Sequence, residues 1–133
     1  MGIITASPPA ACPAMDGLSN EALQQVATYF QALAEPTRLK ILNLLRTGER
    51  NVGEIAQACG YTSANVSRHL TLLTKHGLVA RESRGTSVYY RIADDSVYAL
   101  CDLVCGSIAR QFERTADARA AFARQSGGGT TAA

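Results

Sequence analysis

The spacing of apolar residues changes along this chain from a helical to an extended pattern and back, and this change limits the fold more than any single motif. Between Leu23 and Leu73, apolar residues recur at intervals of three and four, and turn residues divide them into four segments. Residues 78–83 and 87–92 are β-prone runs joined by Arg84-Gly85-Thr86, after which the helical spacing returns. These patterns predict four helices, a β-hairpin and a last helix, in that order. The expected fold is mainly α with a small β-hairpin.

Proline and glycine residues indicate where the helices begin and end. Pro36 is placed to open the second helix, because proline is tolerated in a first helical turn. Gly60 is placed to end a short third helix, and Gly77 to end a fourth, predicted over about residues 63–76. In the first helix, apolar residues at helical spacing form one stripe: Leu23, Val26, Ala27, Phe30, Leu33 and Ala34.

Length and terminal composition predict one folded domain with mobile ends. The chain has 133 residues, enough for one core. Residues 1–17 are rich in proline and small side chains and are interpreted as a flexible arm, residues 18–125 as the folded domain, and residues 126–133 as a disordered tail. The arm lacks a basic flank and an apolar core, so a signal peptide is not expected. The expected compartment is the cytoplasm.

The charge of the chain is unevenly distributed. Residues 38–91 carry nine basic and three acidic side chains, a net charge of +6, whereas the rest of the chain carries four basic and eight acidic ones, a net charge of −4. A positive central segment between acidic ends is the pattern expected when one surface meets phosphate groups. An ordinary solvated surface is the alternative, and charge alone does not separate the two.

The third and fourth predicted helices match a DNA-reading motif. They are short and separated only by Gly60-Tyr61-Thr62, the arrangement of a helix-turn-helix, and the hairpin that follows makes it winged. Helical geometry turns Val66, Leu70 and Leu73 inward. The opposite face is then polar and basic, which suits the major groove of duplex DNA.

The predicted DNA-contacting residues lie on this outer face, on its flanks and at the hairpin tip. Arginine and asparagine can bond base edges, while serine, threonine and lysine mostly hold phosphates. A winged helix used for protein contacts is the alternative function, and for His69 a hydrogen bond within the domain is as good an interpretation as a DNA contact. The predicted set is Ser63, Asn65, Ser67, Arg68, His69, Thr71, Lys75 and Arg84.

From about Ala32 to Arg110 the sequence resembles the ArsR/SmtB family of metal- and signal-sensing repressors. The resemblance implies a homodimer that pairs its first and last helices, binds an imperfect palindrome in duplex DNA and leaves it when an effector binds. It is carried by residues 33–42 (LAEPTRLKIL), 66–70 (VSRHL) with Leu73, 76–79 (HGLV) and 85–91 (GTSVYYR).

The metal sites that the family resemblance implies are incomplete in this chain. One family site places two thiols at the start of the third helix, where residues 49–55 (ERNVGEI) have none. The zinc site on the last helix uses an aspartate and a histidine near its start and a histidine and a glutamate further along. Asp94 fits the first position, but Ser96, Ser107 and Arg110 occupy the others. A zinc sensor of that type is therefore disfavoured.

Thiol chemistry remains as the basis for sensing. Cys101 and Cys105 are four residues apart on the last helix, so their side chains lie one turn apart. Two thiolates at this spacing can bind a soft ion, with As(III) favoured and Cd(II), Pb(II), Hg(II) or Cu(I) as alternatives. Trivalent arsenic prefers three sulfur ligands, and Cys12 or Cys59 could supply the third. No resident cofactor is expected.

Other roles for these cysteines remain open. Without a signal peptide, structural disulfides are not expected. Cys59 lies on an apolar stripe and is interpreted as core, and the pair Cys101 and Cys105 could simply pack. A redox or reactive-sulfur sensor would use the same thiols, although a disulfide between positions four apart in one helix has poor geometry. No thiol has a base and an oxyanion site arranged around it in the sequence, so the chain is not expected to be an enzyme.

Overall fold

The structure, a computed structural model, describes residues 15–127, which form two compact units, residues 15–93 and residues 94–127. A single 3₁₀ turn over Met15–Gly17 precedes the first helix. The predicted order of helices, hairpin and last helix is confirmed, with one short strand added. The elements are α1 (Asn20–Leu33), α2 (Pro36–Leu45), β1 (Arg50–Asn51), α3 (Val52–Cys59), α4 (Ser63–Lys75), β2 (Val79–Arg84), β3 (Ser87–Ile92) and α5 (Ser96–Gly127).

Side-chain caps fix the start of the helices in the first unit. Pro36 opens α2 as predicted, and the Glu35 carboxylate accepts a hydrogen bond of 3.0 Å from the backbone N–H of Arg38. Asn51 and Glu54 form a reciprocal capping box at the start of α3, with bonds of 2.8 Å and 3.0 Å. Each cap satisfies backbone N–H groups that have no partner inside their own helix.

The connection between α3 and α4 is short because Gly60 ends α3 in a left-handed conformation. Its φ is +76° and its N–H bonds to the carbonyl of Ala56 at 2.9 Å. A side chain at this φ would be strained, which explains the glycine. Thr62 then caps α4 by accepting from the N–H of Asn65 at 3.1 Å. Three residues therefore separate the two helices of the helix-turn-helix.

The wing is a three-stranded antiparallel sheet in the order β1-β3-β2. Strand β1 pairs Arg50 with Tyr90, and β2 pairs Arg84 with Ser87. The hairpin turn is therefore one residue shorter than predicted, with Gly85 at a φ of +63°. Strand β1 has only two residues, too few to leave a pattern in the sequence.

The core of the first unit lies between α2, α3 and α4. Its most deeply buried members come from all three helices, while α1 contributes Ala32 and Leu33 at its end. The apolar stripe of α1 is only partly buried, since Leu23 is 38 % exposed and Phe30 47 % exposed. The side chains with almost no exposure are Ile41, Ile55, Val66, Leu70 and Leu73.

The second unit is dominated by α5, a helix of 32 residues and therefore about 48 Å long. The Asp94 carboxylate accepts from the N–H of Ser96 at 2.9 Å, and this bond lowers the pKa of Asp94. No helix in residues 15–127 is long and apolar enough to cross a membrane. Large apolar side chains on α5 are exposed, namely Leu103, Val104, Ile108, Phe112 and Phe122.

The predicted terminal segments fall mostly outside the described residues. Of the predicted arm, only Met15–Gly17 is described, and Cys12 lies outside. At the other end α5 extends through Gly127, two residues into the predicted tail, and residues 128–133 lie outside the described part.

Candidate nucleic-acid interface

The predicted faces of α4 are confirmed. Val66, Leu70 and Leu73 are fully buried, and the opposite side of the helix is polar and exposed. Asn65 is half-buried on the flank. No large apolar side chain interrupts the exposed face, which carries Ser63, Ser67, Arg68, Thr71 and Lys75.

A hydrogen bond joins Arg68 and Asn65, two side chains that could recognise bases. Arg68 Nη2 donates a hydrogen bond to Asn65 Oδ1 one turn earlier in α4. This bond leaves the other guanidinium N–H donors of Arg68 and the amide donors of Asn65 available to a ligand. Thr71 Oγ1 donates to the carbonyl of Ser67 at 2.9 Å, which uses its proton and leaves oxygen lone pairs outward.

His69 is not on the exposed face. It is only 6 % exposed, and Arg38 Nη1 lies 3.3 Å from its Nδ1. The interpretation of His69 as a DNA contact is therefore corrected in favour of the hydrogen bond within the domain. Removal from water lowers the pKa of His69; the charge of Glu35 raises it, and those of Arg68 and Arg38 lower it further.

The hairpin arginine is exposed but already paired. Arg84 makes a bidentate contact with Glu49, at 2.5 Å and 2.9 Å, and a third bond of 3.1 Å to Glu82. Its guanidinium also lies 5.0 Å from the ring centroid of Tyr89. These bonds raise the pKa of Arg84, so it stays fully charged. A phosphate group offers a guanidinium the same bidentate geometry as a carboxylate, so it can replace Glu49 on Arg84.

Lys40 supports the turn between the two helices, a role that sequence reasoning missed. Its Nζ donates to the carbonyl of Cys59 at 3.3 Å and lies 5.3 Å from the ring centroid of Tyr61. A cation at the end of α3 offsets the partial negative charge of that helix terminus. In the sequence, Lys40 is only a lysine on the flank of the second helix, as in many solvent-exposed helices. Nothing in the local pattern therefore indicates its contact with the turn.

The cysteines differ in accessibility. Cys59 is buried in α3, and burial raises the pKa of its thiol, although Lys40 lowers it. This supports the interpretation of Cys59 as core. On α5, Cys101 is half-buried and Cys105 exposed. Residues 15–127 contain no cluster of three or more His, Cys, Asp or Glu side chains that could hold a metal ion.

Comparison with known proteins agrees with this architecture. Residues 35–81 match the family model described as bacterial regulatory protein, arsR family. NmtR of Mycobacterium tuberculosis, an HTH-type transcriptional regulator, is 41 % identical over 85 residues, which are 64 % of this chain and 71 % of NmtR. The chain belongs to the ArsR family.

Solved structures of transcriptional regulators share this fold. The homodimeric winged helix-turn-helix domain of Mb0332 from Mycobacterium bovis matches with a TM-score of 0.64 and 41 % identity, over 75 % of this chain and 95 % of that one. AntR, an antimony-specific transcriptional repressor, matches with a TM-score of 0.64 and 26 % identity, over 83 % of this chain and 99 % of that one.

The family assignment settles the broad class of this protein. It is a winged helix-turn-helix transcriptional repressor of the ArsR/SmtB type. Its relatives are named as transcriptional regulators, which confirms the prediction that the chain is not an enzyme.

Proposed function

We propose that this repressor is a homodimer that reads an imperfect palindrome in duplex DNA through α4. We further propose that a soft metal(loid), As(III) first, releases it by binding thiolates on α5. The observation that carries the DNA-binding part is the exposed face of α4, which is polar and cationic and is backed by a fully buried apolar face. An exposed helix face of this kind fits the major groove.

The side chains of α4 divide into two roles. Arg68 and Asn65 are joined by a hydrogen bond and both can bond base edges, so we assign them to base reading. Ser63, Ser67, Thr71 and Lys75 are assigned to phosphates, and so is Arg84 on the wing after it leaves Glu49. His69 is left out of both sets because it is buried.

Exposed apolar side chains support the homodimer. Leu23 and Phe30 on α1 are exposed, and α5 exposes apolar residues along its length, Phe112 being 73 % exposed. Large apolar patches on a soluble protein often mark an interface. The Mb0332 domain is described as homodimeric. A two-fold dimer presents two copies of α4, which must lie about one DNA turn apart to enter successive major grooves.

DNA affinity should fall steeply with salt, because Lys and Arg contacts to phosphates release counterions. A dimer that neutralises about six to ten phosphates loses about 10³–10⁵ in affinity between about 50 mM and about 200 mM salt. The measurement is fluorescence anisotropy with a duplex of about 30 base pairs, three helical turns, selected by the wild-type protein from a randomised pool. We refer to this probe as the selected duplex.

A matched pair of variants tests which lysine and arginine side chains contribute to this slope. Lys75→Gln should lower the slope of log affinity against log salt by about two, since each lost phosphate contact is worth about 0.9 and the dimer has two copies. Arg119→Gln, which removes one exposed charge from α5, should leave it unchanged. A wild-type slope near zero, or no binding at low salt, would exclude DNA reading by α4.

Accessible thiols support the sensing part of the proposal. Cys101 and Cys105 lie one turn apart on α5, and Cys105 is exposed. Soft ions prefer thiolates over oxygen and imidazole ligands. At the family's zinc site, three of the four ligand positions are occupied by Ser96, Ser107 and Arg110. AntR, which has the same fold, is an antimony-specific repressor. Sb(III), like As(III), is a soft ion that prefers thiolates. Cys12 is proposed as the source of a third sulfur. No cofactor is proposed besides this effector.

Arsenite should release wild-type protein from the selected duplex and should not release the double variant Cys101→Ser/Cys105→Ser. A coupling of about 1–3 kcal/mol weakens the complex about 5- to 150-fold. Reduced protein is titrated with arsenite, Cd(II), Pb(II) and Zn(II) while anisotropy is recorded, and arsenic stoichiometry is measured on the same samples.

The controls test whether Cys59 is only a core residue, whether Cys12 supplies a third sulfur, and whether thiol oxidation replaces metal binding. Cys59→Ala should keep the arsenite response, because Cys59 is buried and its thiol pKa is raised, whereas Cys12→Ser should weaken it. If the double variant responds to every ion as the wild type does, the thiol-sensor part is wrong and the DNA-binding part stands. If peroxide or a persulfide releases the protein from the selected duplex and no metal ion does, the sensing mechanism is thiol oxidation and not metal binding.

A further inference from the structure

Arg38 connects three helices of the first unit through one side chain. Its Nε donates to the carbonyl of Ala32 at 2.7 Å and its Nη2 to the carbonyl of Gln31 at 3.1 Å, so it caps the last turn of α1. Its backbone N–H is bonded to Glu35 at the start of α2. The remaining nitrogen, Nη1, lies 3.3 Å from Nδ1 of His69 on α4. The end of α1, the start of α2 and the DNA-reading helix therefore meet at one guanidinium.

The contact between Arg38 and His69 fixes the chemistry of the imidazole. A guanidinium has only donors, so His69 Nδ1 must accept, and the ring must be neutral with its proton on Nε2. A protonated ring has no acceptor and would place a second positive charge beside Arg38. The bond therefore exists only while His69 is neutral.

We propose that Arg38 and His69 are positioning residues that set the orientation of α4 for base reading, through the bond between Arg38 Nη1 and His69 Nδ1. His69 touches no base in this proposal; it holds the helix whose exposed face carries Arg68. The proposal rests on the proposed function, DNA reading by α4, and adds to it the element that aligns the reading face.

The groups that face His69 explain why the bond breaks on acidification rather than near neutral pH. From the α2 side these are Glu35, whose charge favours the protonated ring, and Arg38, whose charge opposes it. From α4 itself Arg68 also opposes protonation, and burial is the largest effect, so the pKa of His69 lies below its ordinary value of 6.5. The unfolded chain then binds the proton first as pH falls. Stability from this site is complete above about pH 6.5 and decreases below it.

The chain contains two histidines, His69 and His76, so a matched pair of variants isolates the effect. His69→Asn places an amide oxygen acceptor at the position of Nδ1, and the amide does not titrate. The control, His76→Asn, makes the same change at the half-buried histidine at the end of α4. Affinity of the full chain is measured between about pH 7.5 and about pH 5.5, for the selected duplex and for a random duplex of equal length.

Wild type and His76→Asn should progressively lose affinity for the selected duplex as the pH falls below 6.5. Complete loss of a bond to a charged group corresponds to about a tenfold loss or more. Affinity for the random duplex should change much less, because phosphate contacts do not need an aligned reading face. His69→Asn should keep its affinity nearly constant with pH. Arg38→Lys, which cannot span the three acceptors, should lower the ratio of selected to random binding at every pH.

The outcomes distinguish this inference from the function on which it rests. Absence of binding to the selected duplex at any pH overturns the proposed function itself. Binding that is independent of pH in the wild type, or equally dependent on pH in His69→Asn, overturns only the positioning role. Equal loss on both duplexes would mean that the site serves stability alone, and denaturant unfolding at both pH values measures that contribution directly.

Discussion

Replacing Arg68 with alanine should lower the affinity of the dimer for the selected duplex by about 30-fold to about 10⁴-fold. A good bidentate contact to a base is worth about 1–3 kcal/mol, and the dimer contains two copies. Stability should change little, because Arg68 is exposed and its one described bond is to Asn65 on the same helix. The measurement is anisotropy with the selected and random duplexes at one salt concentration.

Two further variants separate base reading from charge. Arg68→Lys keeps the positive charge and loses the planar fork, so it should lose affinity for the selected duplex while keeping the salt slope. Arg119→Ala removes an exposed arginine from α5 and should leave both affinities unchanged.

Base reading by Arg68 would be contradicted if Arg68→Ala lost equal affinity for the selected and the random duplex and also had a lower salt slope. That pattern belongs to a phosphate contact, and Arg68 would then position the protein without specifying sequence. An Arg68→Ala variant with no loss at all would remove α4 from the interface.

The features of α4 that could be predicted from the sequence are those that depend on local geometry. Helical spacing alone turned Val66, Leu70 and Leu73 inward, and all three are fully buried. The glycine at position 60 predicts the end of α3. The structure gives the physical reason, because the φ of +76° at this position excludes most other residues. The exposed face followed from the same geometry, which is why its polar residues were found without a structure.

The errors arose where a residue's role depends on a distant partner. The predicted flank position of His69 is wrong, because positions 66, 69, 70 and 73 share the inward spacing of a helix. Histidine is polar, so it does not stand out as a member of an apolar stripe. Its partner Arg38 is 31 residues away in sequence. The pairing of Arg84 with Glu49 spans 35 residues and likewise left no local pattern.

The apolar stripe on α1 shows a different limit of sequence periodicity. Leu23 and Phe30 have the spacing of a buried face but are exposed in a single chain. Periodicity reports that a face avoids water and does not distinguish a core from an interface with a second copy. The family resemblance implies that the first helix pairs in a homodimer. It therefore predicts an interface on this face, which the spacing alone does not.

The second large effect is on folding, and it comes from the buried face of the same helix. Leu70→Ala should lower the free energy of unfolding by about 2–5 kcal/mol, because Leu70 is fully buried and the change leaves a cavity. Domains of this size have only about 5–15 kcal/mol in total. Urea unfolding followed by circular dichroism measures the loss, at equal protein concentrations because a dimer's stability depends on concentration.

Leu72→Ala makes the same chemical change two residues away on α4 and serves as the control. Leu72 is half-buried, so a smaller cavity is left and a loss of about 1 kcal/mol or less is expected. If Leu70→Ala cost no more than Leu72→Ala, with equal urea dependence for both, the buried face of α4 would be misassigned. The polar face would then be misassigned too, because one helix cannot turn both sets of residues outward. The stability of Leu70→Ala and the DNA affinity of Arg68→Ala therefore test the same orientation of α4 from opposite sides.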